Sequence, residues 1–380
     1  MRIMKVMFVS FAVMALSLCN LLGTPPDAGM FRGGVERTGV YEAGGPEALN
    51  ELVWKFETEG YSFSSPVISK GTVYLVSGEF LYAIDSQTGE EKWSFHLGTA
   101  AASSPAAADG TVFCGNQDGY LFAVDSETGE GKWEFEVDWI TFSSPAVAEG
   151  KVYIGSSHAL HAVDSQTGEL EWEFETEDEV NSSPAIADGR VYVGSFDGHL
   201  YAIDSQTGEE AWSFKTNGGV ISTPAVSDGL VFFGSADVYD EWEEWETGYV
   251  YAVDSQTGEE QWKFQADDDI ISSPAVSDGK VYVGSGNEFE SEVGYLYAIN
   301  IKTGQEDWKF RTEGGITSSP AISGGVIYVG GGDGYLYALD AQAGQEQWTF
   351  KTDSYIFSSP TISDGKVYFT SVDGALYAVK

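Results

Sequence analysis

The feature that most constrains this chain is an eightfold recurrence of tryptophan and proline in fixed register. Trp54, Trp93, Trp133, Trp172, Trp212, Trp262, Trp308 and Trp348 each stand 12 residues before a proline: Pro66, Pro105, Pro145, Pro184, Pro224, Pro274, Pro320 and Pro360. Each of these prolines follows Ser-Ser or, once, Ser222-Thr223. Eight residues after each comes Tyr or Phe, as at Tyr74, Phe113 and Tyr192. In seven copies an Asp or Asn lies eight residues before the next Trp: Asp85, Asp125, Asp164, Asp204, Asp254, Asn300 and Asp340. A period of about 40 residues is the mark of a repeat architecture, in which no unit can bury its apolar face alone.

Each unit reads as four short strands. Ser-Ser-Pro opens the first, and its small residues suit a strand crowded against an axis. An Asp-Gly pair, as at Asp188-Gly189, turns the chain into an alternating run such as Val191-Tyr192-Val193. A second turn leads to Leu-Tyr-Ala-Ile-Asp, and Ser-Gln-Thr-Gly leads into the Trp strand. Radial stacking of four-stranded sheets buries such units and hides their edges. The expected fold is therefore all-β: an eight-bladed β-propeller of four-stranded antiparallel blades. The repeats open with a lone Trp strand at residues 52–56 and close with three strands at 357–379, so the N-terminal strand is expected to complete the last blade.

Charge bounds the partners. The net charge is −40, from 59 acidic and 19 basic residues. Nucleic-acid binding needs Lys and Arg clusters, so nucleic acid is excluded as a partner, whereas a basic protein segment or a cation is favoured. At the N-terminus, Arg2 and Lys5 precede an apolar run from Val6 to Leu18. The run is too short to span a membrane and suits a signal peptide. Residues 1–19 are read as that signal, 20–50 as a leader or linker, and 51–380 as the propeller. Leu16-Ser17-Leu18-Cys19 is an imperfect lipobox, which makes Cys19 a candidate lipidation site. Cys114, in an apolar strand pattern, is expected to be a buried, inert thiol.

Tyr201-Ala202-Ile203-Asp204, Thr207-Gly208 and Trp212 together spell a motif that resembles the PQQ-type propeller repeat, and the resemblance covers residues 51–380. It implies that the eight tryptophans are structural, each packing on the neighbouring blade near the Ala and Gly positions. It frames two functions. Quinoprotein dehydrogenases hold a quinone and Ca²⁺ at the propeller axis, with an Asp base and in many cases a disulfide of adjacent cysteines. The BamB class of outer-membrane assembly lipoproteins are scaffolds of similar size and blade number. A third option is a generic exported binding propeller, before which a segment like Met30-Phe31-Arg32-Gly33-Gly34 is often seen. This chain has neither the cysteine pair nor the long insertions of the dehydrogenases.

The expectation is an exported, non-enzymatic binding or scaffold propeller with a protein or peptide partner, in the periplasm, cell envelope or extracellular space. No cofactor is required. The alternative is a PQQ-dependent oxidoreductase with PQQ and Ca²⁺. The chain is expected to be a monomer that meets a membrane only through a lipid on Cys19. No catalytic residue stands out. His158 and His161 are three apart in a strand and face opposite sides, and the repeated Asp is expected to hold its own turn.

Function usually breaks repeat symmetry, and two departures mark one face. The residues entering the first strand are aromatic in blades eight (Tyr355, Phe357), one (Tyr61, Phe63) and three (Trp139, Phe142), but only alanine in blade two (Ala100, Ala101, Ala102). The hairpin between second and third strands is lengthened in blades five and six. The fifth-blade insertion carries Asp237, Asp240, Glu241, Glu243, Glu244 and Glu246 with Trp242 and Trp245. The sixth-blade insertion adds Glu288, Glu290 and Glu292, and the connection between the two blades adds Asp267, Asp268 and Asp269. These carboxylates are candidate metal ligands or a dock for a basic segment, with the tryptophans as anchors. Alternation of the strands places both departures on the face opposite the Asp-x-x-Thr-Gly turns.

Overall fold

Each Ser-Ser-Pro starts the innermost strand of a blade, and the chain then steps outward from the axis. The computed structural model describes residues 29–380 apart from 43, 50, 141, 237–247 and 287–290. In blade four, Ala185–Ala187 is innermost, followed by Arg190–Gly194, His199–Asp204 and Glu210–Lys215, each antiparallel to the last. Eight such sheets are present, numbered here from blade one (residues 67–96). The turn between first and second strands has both central residues at positive φ, as at Asp188 (50°) and Gly189 (73°). This is the type I′ geometry that matches strand twist and that Asp-Gly adopts readily. The eighth blade joins 361–379 to Leu52–Glu57, which pairs with Ala375–Val379. The eight-bladed ring closed by an N-terminal strand is therefore present.

Two sets of contacts bind blade to blade. On the outer side, seven of the eight repeat Trp indoles donate to a backbone carbonyl of the next blade, as Trp54 to Ser86, Trp172 to Ser205 and Trp262 to Ile301. The same indole lies on the next Thr-Gly turn. A Cβ on Gly208 would stand 2.8 Å from Trp172 Cδ2, so only glycine fits there. Burying each Trp removes about 200 Å² from water, worth at most ~5 kcal/mol. At the axis, the backbone N–H of each residue before the proline donates to the hydroxyl of its counterpart one blade on. The chain of bonds runs Ser65, Ser104, Ser144, Ser183, Thr223, Ser273, Ser319, Ser359 and returns to Ser65. A closed hydrogen-bond ring thus encircles the channel, and the Ser359–Ser65 bond joins the last blade to the first.

The segment before the propeller is part of its core. Residues 29–41 wind inside the channel, bonded in turn to the innermost strands of blades two, four, five, six and seven. Gly29 exchanges bonds with Ala107, and Ile186, Val226, Val276 and Ile322 donate to the carbonyls of Val35, Glu36, Thr38 and Gly39. Arg32 and Arg37 are fully buried there. Arg37 donates to the carbonyls of Phe31, Pro145 and Pro184, and Arg32 to those of Arg37, Ser273 and Pro274. Burial pulls both guanidiniums down from 12.5 to about 9, which leaves them charged at neutral pH.

The leader then repairs a gap. Blade eight is split between two parts of the chain, so it has no Asp-x-x-Thr-Gly turn to receive Trp348. Pro46 takes that place: its carbonyl accepts from Trp348 Nε1 at 3.1 Å and from Tyr328 Oη at 3.0 Å. Gly45 beside it has no room for a Cβ, which would stand 2.4 Å from Tyr328 Oη. The sequence reading treats 20–50 as leader or linker because this stretch has no periodicity. Its signal was chemical: two of the chain's five arginines lie here, Arg32 directly before and Arg37 shortly after Gly33-Gly34.

Candidate binding site at the open mouth of the channel

The leader lies inside the channel, on the side of the Ser-Ser-Pro ring that leads toward the Asp-x-x-Thr-Gly turns. Those turns are uniform and self-contained. In blade one, Asp85 Oδ1 accepts from the N–H groups of Gln87 and Thr88, both at 3.0 Å. The same bonds recur in other blades, and those at Asp85, Asp125, Asp164, Asp204 and Asp254 hold the carboxyl below its ordinary value of 3.8, Asp125 at about 2. Every one of these carboxylates is therefore engaged locally.

The opposite mouth is unlike this. The hairpins between second and third strands lie there beside the inter-blade loops: Val137 N–H donates to Gly119, Thr216 to Gly198 and Ala266 to Gly248. The aromatic residues of blades eight, one and three are at this mouth. Tyr61 is 68% exposed, Trp139 61%, Phe142 50%, Tyr355 46% and Phe63 40%, whereas Phe357 is buried at 9%. Phe63 and Phe357 stack across the junction of blades one and eight, centroids 6.0 Å apart and planes 6° from parallel. Tyr355 leans on Phe357 at 5.5 Å. Between this group and Trp139 with Phe142 lie Ala100, Ala101 and Ala102 of blade two. The result is an arc of exposed rings broken by a stretch of small residues. Exposed rings grouped in one arc rather than scattered singly make it a candidate contact surface.

The other half of the mouth is acidic. Glu177 and Asp178 are exposed on the way into blade four, and Asp267 on the way into blade six. The three aspartates 267–269 do not converge. Asp267 accepts from Tyr297 Oη at 2.7 Å and pairs with Lys309 at 2.6 Å, which holds its carboxyl below the usual range. Asp268 accepts from Ser291 Oγ and from the N–H of Asp269. Glu292 is exposed. Among the described residues, no three His, Cys, Asp or Glu come together in a way that could hold a metal ion. Asp237, Asp240, Glu241, Glu243, Glu244, Glu246, Trp242, Trp245, Glu288 and Glu290 lie outside the described residues.

In the dehydrogenases that share the repeat, a quinone and its Ca²⁺ would stand at the axis. Calcium takes oxygen ligands, carboxylates foremost. Here the axis carries two guanidiniums instead, and the carbonyls of Pro145, Pro184, Ser273 and Pro274 already serve them. These residues do not fit a quinone–calcium pair. One further cluster has the outline of a catalytic relay: His161 Nε2 lies 3.0 Å from Ser156 Oγ, and Nδ1 lies 3.2 Å from Glu173. The Glu173 contact lacks hydrogen-bond alignment, and both Ser156 and His161 are buried. His161 sits where six other blades have Tyr and blade two has Phe122, and Tyr251 and Tyr297 likewise contact Ser235 and Ser285. The cluster is a variant of a repeated packing contact. Cys114 is fully buried, and burial alone pushes its thiol up to about 12.

Fold, repeat and channel define the class: an eight-bladed propeller of PQQ-type repeats. The model of the family described as outer membrane protein assembly factor BamB matches residues 47–139, 136–237, 159–288 and 292–380, and the chain belongs to that family. No protein of curated function matches the sequence. Among solved structures, BamB from Moraxella catarrhalis is 19% identical with a TM-score of 0.70, over 87% of this chain and 97% of that one. The computationally designed Ika8 protein is 20% identical with a TM-score of 0.74, over 87% and 99%. Quinohemoprotein alcohol dehydrogenase from Comamonas testosteroni is 15% identical with a TM-score of 0.77, over 93% and 80%. At these identities the structures share the fold alone.

Proposed function

We propose that this protein is an exported, non-enzymatic binding propeller of the cell envelope. In this reading it serves outer-membrane protein assembly by holding an extended segment of a protein partner at the open mouth. The observation that carries the reading is the arc of exposed rings at Tyr61, Phe63, Trp139, Phe142 and Tyr355 on an otherwise rigid ring. Rigid aromatic side chains give large contact area at low entropic cost and are common binding anchors. The acidic arc beside them favours a segment with basic residues, attracted through a field that a net charge of −40 makes strong. The family description supports the assembly role. The two guanidiniums at the axis weigh against the oxidoreductase reading.

A photo-reactive amino acid placed at Tyr61 or Tyr355, and separately at Gln206 or Gln342 on the Thr-Gly face, tests this in cells. The expected result is cross-linking to one discrete envelope protein from the first pair only. Cross-linking from the second pair alone overturns the choice of face. Saturable binding of pyrroloquinoline quinone with Ca²⁺, together with dye-linked alcohol or sugar oxidation, overturns the non-enzymatic reading.

A further inference from the structure

The base of the open mouth is the hydroxyl ring, and its chemistry is unbalanced. A serine or threonine hydroxyl has one proton to give and two lone pairs to receive. Each of the eight uses a lone pair to accept the backbone N–H of the preceding blade. None of the eight gives its own proton to another protein atom among the described residues. Nor are they sealed away. The ring hydroxyl residues are 2–8% exposed, against 0–1% for the serine just before each of them, which is turned into the blade. Eight donors therefore surround the axis with their protons unassigned.

Immediately behind the ring lie the Arg32 and Arg37 guanidiniums. They reach the carbonyls of ring residues themselves: Arg32 Nη1 to Ser273 at 2.7 Å and Arg37 Nη2 to Ser144 at 3.4 Å. No carboxylate among the described residues pairs with either. The nearby Tyr41 phenol is kept neutral by desolvation and supplies no countercharge. Two buried positive charges without a counter-ion, faced by a ring of free donors, form a local anion trap inside a protein whose surface repels anions.

We propose that the hydroxyl ring is an axial oxyanion site, which takes the terminal carboxylate of a peptide whose aromatic side chains rest on the mouth. This rests on the binding reading above and deepens it: the ligand enters end-on, carboxylate first. The ring hydroxyls supply the hydrogen bonds, and the guanidiniums supply the charge from behind. A chain terminus offers a carboxylate to the ring and, directly beside it, side chains to the aromatic arc.

The test is calorimetry on the full propeller with N-acetyl-Lys-Tyr-Phe as free acid and as C-terminal amide, and with sodium acetate as a control. The free acid is expected to bind about tenfold more tightly than the amide. The Thr223→Val variant, which removes one ring hydroxyl at nearly constant volume, is expected to narrow that preference, and Thr223→Ser to restore it. Should Thr223→Val fail to fold, the acid-to-amide ratio on the unmodified protein still decides. Equal binding of acid and amide overturns the axial site and leaves the mouth reading intact. Loss of saturable binding for both peptides overturns the two together. Acetate binding as tightly as the acid peptide removes the end-on peptide from the proposal.

Discussion

The two ends of the central channel are built on one ring and behave as opposites. At the Thr-Gly end, seven blades repeat the same bonds from turn N–H groups to an Asp or Asn side chain. At the Ser-Ser-Pro end, aromatic rings stand in water over half the mouth and carboxylates over the other half. The difference teaches where selection for the fold stops. A turn that must receive a neighbour's indole has no freedom: a Cβ on Gly208 would collide with Trp172. A residue such as Tyr61, with most of its surface exposed, meets no such demand and is free to serve a partner.

The comparison breaks most sharply at Arg37. Replacing it by alanine strips the carbonyls of Phe31, Pro145 and Pro184 of their donor. Each orphaned buried carbonyl costs about 1–3 kcal/mol, offset in part because a cation is no longer buried. A net loss of about 3 kcal/mol is expected, seen as a lower midpoint in urea unfolding. A change under about 0.5 kcal/mol would mean that the leader is not integral. The mouth predicts the reverse pattern. Tyr61→Ala combined with Tyr355→Ala is expected to leave stability within about 0.5 kcal/mol while weakening partner binding at least tenfold, read by titration.

Much of this contrast was legible in the sequence. The Trp and Pro register fixed the blade number because an indole that must reach the next blade tolerates no change in spacing. The split of blade eight followed from the lone first strand. Exposure of Tyr61 and Tyr355 was not legible, since a ring at a channel mouth can equally well turn inward. Phe357 does so, covered by Phe63 and Tyr355. The channel plug escaped because residues 29–41 form no regular strand. They borrow hydrogen bonds from several repeats without resembling any of them. Pro46 is the clearest case: nothing local reveals that its carbonyl stands in for an absent turn.

Two smaller effects sharpen the contrast. The Thr-Gly turns carry aspartates whose carboxyls are held below 3.8, Asp125 at about 2. A carboxyl depressed in the folded state contributes stability above its unfolded value, and that contribution is lost as pH falls through the folded one. Urea midpoints are therefore expected to drop between pH 4 and pH 2, with Asp125→Asn flattening part of the decline. At the mouth, raising ionic strength from 0.05 to 0.5 M (roughly a threefold shorter screening length) is expected to weaken binding of a lysine-containing peptide several-fold. The stability of the free protein should change less.

Hydrogen exchange, resolved by residue and recorded with and without N-acetyl-Lys-Tyr-Phe, tests the central claim most directly. The amides of Ile186, Val226, Val276 and Ile322, which are bonded to the leader, are expected to exchange only on global unfolding in both states. The amides of Tyr61, Phe63, Trp139 and Tyr355 are expected to exchange quickly in the free protein and slowly in the bound one. Leader-bonded amides that exchange as fast as a surface loop, or protection that appears on the Asp-x-x-Thr-Gly turns, would contradict the account.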